Sequence, residues 1–306
     1  MTVTALAGGV GGAKLLVGLA AILDEGDLTA VVNTGDDAVI YGVHISPDLD
    51  IVTYWLGGVA DTRRGWGIRD DTFKVVDALE SLGAPAWFRL GDRDLATCLY
   101  RTERLRDGAP LSAVTDEIRC ALGVTTRVLP ATDDRLRTRI LTSDGRTLEF
   151  QEYFVRERQE PEVGGVVFSG AEDAKPAPGV LEAIAGADCV VVCPSNPILS
   201  IGPILEVSEI REALQRHPHV VAVTPIVRGE AIKGPAARIL DSMRIGSSAT
   251  AVARLYADFA DMFVIDAGDR LHATDVTSLG LRAVVLDTLM TDRTASERLA
   301  RQLLDA

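Results

Sequence analysis

The sequence predicts an α/β protein with a doubly wound, mostly parallel sheet, and three observations carry that prediction. Short, nearly continuous apolar runs alternate with amphipathic segments along most of the 306 residues. The runs are rich in valine and isoleucine and flat in polarity, as strands covered on both faces are. Several intervening segments open on Ser, Thr or Asp and close on Gly, the usual punctuation of helices. Such strand–helix alternation makes a parallel sheet with helices on both faces, the Rossmann-like arrangement.

Taken in order, residues 3–7 form the first strand and 13–23 the helix behind it. A second strand follows at 30–32, then helices at 72–82, closed by Gly83, and at 112–122, closed by Gly123. The middle of the chain differs. Residues 138–154 alternate in polarity around Ser143-Asp144-Gly145, a hairpin signal, and a charged stretch at 156–162 precedes Pro176 and Pro178. Residues 124–175 are therefore expected to form a smaller α+β lobe inserted into a single Rossmann-like domain spanning 1–306. Strands at 189–193, 220–223, 262–265 and 283–286 resume the α/β pattern, with helices at 208–216 and 247–260.

Composition narrows the chemistry. The net charge of −13 argues against non-specific binding to nucleic-acid backbone or to an anionic membrane. A phosphate ligand must then be held by local devices: backbone N–H groups, a few basic side chains and metal ions. Cys98, Cys120, Cys189 and Cys193 make no C-x-x-C pair, so a zinc site is poorly supported and a reducing compartment is the default. The apolar N-terminal stretch lacks a basic leader and is broken by glycines and Lys14, unlike a signal peptide. No apolar run reaches the ~18 residues of a membrane span. A cytoplasmic enzyme is expected.

Five segments carry candidate chemistry. Gly8-Gly9-Val10-Gly11-Gly12-Ala13-Lys14 follows the first strand, where glycines admit close backbone approach and a helix N-terminus offers N–H groups to phosphate. Neither a Walker A loop nor G-x-G-x-x-G fits it. Asn33-Thr34-Gly35-Asp36-Asp37 and Ser46-Pro47-Asp48-Leu49-Asp50 place four carboxylates within 15 residues, suited to a hard divalent cation. Asp48 suits a helix cap equally well, and Asp50 a first helical turn. Trp66 and Phe73 can stack on a planar ring or anchor a core, and Arg89 and Arg93 can grip a ligand or pair with nearby acids. The strand at 189–193 runs into Pro194-Ser195-Asn196-Pro197, with Ser200 beyond, a rigid turn presenting polar groups. Finally, Arg228 and Lys233, flanked by turn glycines, can neutralise a diphosphate or line a solvated loop.

Together these segments resemble the 2-phospho-L-lactate transferase family of coenzyme factor 420 biosynthesis, whose actinobacterial members are phosphoenolpyruvate transferases. The resemblance rests on 8–14, 33–37, 47–50, 66–73, 90–94, 194–202, 233–235 and 256–266, and its specificity lies in their order and spacing. It implies a Mg²⁺-dependent transferase that moves a phosphoenolpyruvyl or 2-phospholactyl group from a GDP-activated donor to the terminal ribityl hydroxyl of the deazaflavin Fo, releasing GMP. By motif position it implies Fo contacts at Asp48, Asp50, Trp66 and Arg89, with Asp50 and Asp37 as catalytic candidates. Nucleotide contacts are implied at Gly8, Gly9, Gly11, Gly12, Lys14, Ser195, Asn196, Ser200, Arg228 and Lys233, metal ligands among Asp36, Asp37 and Asp48, and a homodimer from the relatives.

The 27 arginines against 4 lysines suit a GC-rich genome and favour the phosphoenolpyruvyl donor, although no site residue separates the two. The rival from another class is a nucleotide-sugar-binding regulator of the same superfamily, against which 47–50, 66–73 and 90–94 count. An NAD(P) oxidoreductase is disfavoured by the broken dinucleotide fingerprint.

Overall fold

The computed structural model describes residues 1–231 and 236–306. The chain begins with β1 (Val3–Ala7), α1 (Gly9–Ala20) and β2 (Leu28–Val32). A hairpin of β3 (Ala38–Ile40) and β4 (Val43–Ile45) leads to α2 (Pro47–Leu56), α3 (Lys74–Ser81), α4 (Asp92–Arg106) and α5 (Leu111–Ala121). Next come β5 (Arg127–Pro130), β6 (Arg137–Thr142), β7 (Thr147–Glu149) and β8 (Val163–Ser169). The second half holds α6 (Val180–Gly186), β9 (Cys189–Val192), α7 (Ile201–Glu206), α8 (Ser208–Arg216) and β10 (Val220–Val223). A small ribbon of β11 (Ile226–Val227) and β12 (Glu230–Ala231) precedes α9 (Ala236–Ser242) and α10 (Ala249–Tyr256). β13 (Met262–Asp266), α11 (Ala273–Ser278), β14 (Arg282–Leu286) and α12 (Arg293–Leu304) complete it.

Seven strands form one sheet in the order β14-β13-β10-β9-β1-β2-β5, and every neighbouring pair is parallel. The order runs outward in both directions from β1 and β9, so the topological switch point lies between these two strands. In open α/β sheets that is where the crevice for ligands opens, at the carboxyl ends. The expected doubly wound α/β fold is thus present, with the six expected strands in place.

The core divides by strand alternation. Leu6, Val31, Val190, Val192, Val220, Ala222, Phe263 and Ile265 face one layer of helices. Val3, Ala5, Ala7, Val32, Val191, Val221, Val223 and Val264 face the other, where α1 and α12 pack. All four residues of β9 and of β10 are fully buried. Burying each such valine contributes about 1.5–3 kcal/mol, which explains why these runs tolerate no polar residue.

Where the structure departs from expectation, burial gives the reason. The first helix begins at Gly9, not at residue 13, so three of the glycines lie inside its first turn. Helix α2 is buried on every side from Asp48 to Tyr54, and α4 buries only Asp94, Cys98 and Arg101. Neither has the contrast between faces that a periodicity search detects. Strand β5 is a four-residue edge strand ending in proline, paired with β2 in the main sheet.

Within 124–175, then, β5 belongs to the large sheet, while β6, β7 and β8 form a separate antiparallel sheet in the order β7-β6-β8. The anticipated hairpin turn is there, with Gly145 at φ 88°. This small sheet is stitched to the site region: the Thr138 N–H donates to the Gly35 carbonyl at 2.7 Å. Phe168 lies so near Gly202 that an added Cβ would stand 3.1 Å from its ring.

Candidate active site

Three segments converge at the switch point: the β1–α1 junction, the turn after β9 and the start of α2. Their contact is so close that glycine is required. A Cβ on Gly8 would collide with Asp48 Oδ2 and stand 2.7 Å from Ser200 Cβ. One on Gly11 would strike the Pro194 carbonyl oxygen, and one on Gly12 would lie 2.6 Å from Ser195 Oγ. Hydrogen bonds lock the junction. Ser195 Oγ accepts from the Gly8 N–H at 3.0 Å and donates to the Gly8 carbonyl at 2.8 Å. Asp48 Oδ1 accepts from the Gly9 N–H at 2.8 Å, and its Oδ2 accepts from the Asn33 amide at 2.9 Å. Asn196 Oδ1 accepts from the Ile198 and Leu199 N–H groups, both at 3.0 Å, and so shapes its own turn.

This geometry refines the role of the glycines. The first two N–H donors serve Ser195 and Asp48, and those of Val10 and Gly11 remain at the helix N-terminus without intrahelical acceptors. An anion there is favoured by the helix dipole.

Beside the junction lies the acidic segment. Asp36, Asp37, Asp48 and Asp50 are all buried. Asp37 Oδ2 accepts from Ser46 Oγ at 2.9 Å and contacts His44 Nε2 at 2.9 Å. Asn33 Oδ1 accepts from the Gly35 N–H at 2.7 Å, closing the loop that carries the acids. Burial raises the pKa of Asp48 to about 6, and burial together with Asp48 raises that of Asp36. Among the described residues, Thr34 Oγ1, Asp36 Oδ1 and Asp37 Oδ1 are buried with no hydrogen-bond partner. Unsatisfied buried carboxylate oxygens of one sign are unfavourable unless a cation joins them. Their hard oxygen chemistry fits Mg²⁺, which takes one or two carboxylates plus water and substrate phosphates.

Asp50 is held by an arginine. The Arg101 guanidinium, only 2 % exposed, clasps both its oxygens and reaches toward the His44 carbonyl at 3.4 Å. Burial pushes the Asp50 carboxyl upward, and Arg101 is the main force keeping it ionised. Asp94 accepts from the Tyr54 hydroxyl at 2.8 Å, and burial with Asp50 nearby lifts its pKa to about 7. Ligand atoms of Asp50, Asp94 and Cys98 lie within 4.8 Å of one another. This trio suits a hard cation poorly: Arg101 already supplies the positive charge, and burial pushes the Cys98 thiol up, keeping its proton on.

The remaining expected residues stand apart. Trp66, 42 % exposed, meets Phe73 edge-on at 6.0 Å, with Arg64 over both rings. Arg89 lies 4.9 Å from the Phe73 centroid and pairs with Asp77 at 2.8 Å. The result is a surface ladder of aromatic and guanidinium planes. Lys14 Nζ donates to the Met290 carbonyl at 2.6 Å. Arg228 adopts φ 54°, and its N–H donates to Asp269 at 2.7 Å, at the carboxyl end of β10. Lys233 lies outside the described residues.

His44, Arg101 and Tyr54 are functional candidates without a signal among the five segments, and Asn33, part of the acidic run, gains its role only through Asp48 and Gly35. One signal was available for Arg101: Asp94, Cys98 and Arg101 fall at i, i+4 and i+7, a single helix face. His44 carries none, because only the β3–β4 hairpin turns it onto Asp37.

The family described as 2-phospho-L-lactate transferase CofD matches residues 3–301. The phosphoenolpyruvate transferase of Streptomyces griseus is 43% identical, covering 100% of this chain and 98% of its own length. The 2-phospho-L-lactate transferase of Methanosarcina mazei is 41% identical, covering 98% of each. A crystal structure of a UPF0052-family protein from Bacillus halodurans aligns with a TM-score of 0.63 at 16% identity, covering 99% of this chain and 98% of that one, a likeness of fold alone. Among the described residues, no helix is long and apolar enough to cross a membrane.

Proposed function

The chain belongs to the 2-phospho-L-lactate transferase family and is an enzyme of phosphate-group transfer, and from that premise we propose that it moves a three-carbon phosphate unit, phosphoenolpyruvyl or 2-phospholactyl, from a GDP-linked donor to the terminal ribityl hydroxyl of Fo. The supporting observation is the glycine-only junction at the switch point, where N–H donors, Ser195 and buried carboxylates meet. Near-equal identity to a phosphoenolpyruvate and a 2-phospho-L-lactate transferase leaves both donors within the proposal.

The Fo hydroxyl oxygen attacks the phosphorus bearing the three-carbon acid. The new O–P bond replaces the anhydride bond, GMP leaves with the electron pair of the broken bond, and the hydroxyl proton passes to the departing phosphate or to solvent. The N–H groups of Val10 and Gly11 donate to the phosphate oxygens on which negative charge develops. Asp36 and Asp37, with Asp48 behind them, would hold Mg²⁺, which when bound offsets phosphate charge and orients its oxygens. Asp50, fixed by Arg101, orients the attacking hydroxyl, and the Trp66–Arg89 ladder offers flat faces to the deazaflavin ring. A strong base at the hydroxyl is unnecessary where the transition state is loose.

The test is turnover. Purified protein with Fo, Mg²⁺ and freshly made enolpyruvyl- or lactyl-diphosphoguanosine should yield a Fo adduct by mass spectrometry, abolished by EDTA. Tight nucleotide binding without any adduct would instead favour a regulatory nucleotide-binding role.

A further inference from the structure

A cavity of about 520 Å³ lies between the β3–β4 hairpin and the small sheet, lined among others by Val39, Trp87, Arg135, Arg137, Glu149 and Gln151. Its charge pattern is asymmetric. Glu149 is paired with Arg139 at 3.1 Å, and Glu152, also on the wall, with Arg156 at 3.5 Å. Among the described residues, Arg135 and Arg137 form no ion pair. The half-buried Arg137 donates only to the adjacent Leu136 carbonyl, at 2.7 Å. Burial pulls its pKa down, and Asp37 is the carboxylate that most strongly opposes this. Two guanidinium groups thus border an open cavity whose acids each have another arginine as ion-pair partner.

The place of this cavity along the ligand path matters. Arg137 begins β6, and its neighbour Thr138 is hydrogen-bonded to Gly35, in the loop of Asp36 and Asp37. A diphosphate seated at the glycine junction and crossing the acidic segment would carry its distal substituent toward Arg137. Resting on the transferase reading above, we infer that Arg137 and Arg135 bind the carboxylate of the donor's three-carbon acid and so select a carboxylated donor. A guanidinium fork matches a carboxylate with two parallel N–H bonds, and a partly buried one does so at reduced competition from water.

The experiment compares two donors: lactyl-diphosphoguanosine and its propan-2-yl analogue, in which a methyl group replaces the carboxylate. Wild type should prefer the carboxylated donor on the order of 100-fold in kcat/KM. Arg137→Met should lose about that factor with the carboxylated donor and almost nothing with the analogue. Arg137→Lys should recover part of the loss, and the exposed Arg135→Met should lose roughly 10-fold with the same selectivity. GDP affinity and melting temperature should stay at wild-type values in all three. Equal losses with both donors, or a loss confined to the KM for Fo, would overturn the inference. Wild type turning over neither donor would instead sink the transferase reading beneath it.

Discussion

At the scale of single residues, Asp48 is the most constrained side chain of the site. It serves Gly9 and Asn33 at once, and burial lifts its pKa from the usual 3.8 to about 6. A carboxyl with a raised folded pKa binds its proton more tightly in the native state than in the unfolded chain. Its stabilising effect is present at low pH and is lost as pH rises toward the folded value. Asp94, at about 7, acts in the same direction, whereas carboxylates with lowered pKa, such as Glu117 at about 2, titrate in more acid conditions. Without divalent cations the melting temperature should therefore fall between pH 5 and pH 8. Mg²⁺ should reverse that trend, because it binds only the ionised carboxylates. Thermal unfolding with and without EDTA checks this, and an equal Mg²⁺ effect at pH 5 and pH 8 would disprove it. Arg101 supports a second prediction: Arg101→Met leaves Asp50 buried without its partner and should cost about 3–5 kcal/mol in urea unfolding. Adding Asp50→Asn should restore part of that loss.

At the scale of elements, the β1–α1 junction shows how packing overrides propensity. Four glycines are a poor start for a helix, yet α1 begins there, because side chains would hold Pro194, Ser195 and Asp48 at a distance. Gly11→Ala places a methyl group against the backbone oxygen of Pro194, which cannot rotate away. It should cost about 1–3 kcal/mol and weaken GDP binding on the order of 10-fold by calorimetry. Gly186→Ala, at the end of α6 with nothing within 4 Å, is the control, and it should be neutral or slightly stabilising. Elements without an apolar stripe were the hard ones to see: α2 is buried from Asp48 to Tyr54, and the face that α4 buries is the polar one of Asp94, Cys98 and Arg101. The short strands of the main sheet were legible for the opposite reason, since burial on both faces leaves an unbroken apolar run.

At the scale of the whole molecule, stability is concentrated at the centre of the seven-stranded sheet. Strands β1, β9 and β10 are flanked on both sides by parallel partners and covered on both faces. The β7-β6-β8 sheet has two open edges and partly exposed apolar residues such as Val167 and Leu141. Native-state hydrogen exchange should find amides of β1, β9 and β10 the slowest and those of β7 and β8 opening first. Slowest exchange in the small sheet would contradict this ranking. If the small sheet opens independently, its attachment through Thr138 to Gly35 makes the wall carrying Arg137 the mobile side of the site.

The sequence by itself determined the sheet, its two helical layers and the segments that meet at its carboxyl edge, because alternation, glycine clusters and acid runs are local signals. The family resemblance set the glycines and Ser195 on one nucleotide side and Asp48 in the acidic run, without joining the two. Only the tertiary structure decided how those groups are used. It turned Asp48 onto the helix N-terminus, gave Asp50 to Arg101 across 51 residues, set His44 on Asp37, and brought Arg137 beside the acidic loop. Such pairings join side chains far apart in the chain, and their strength comes from burial, which no local pattern records.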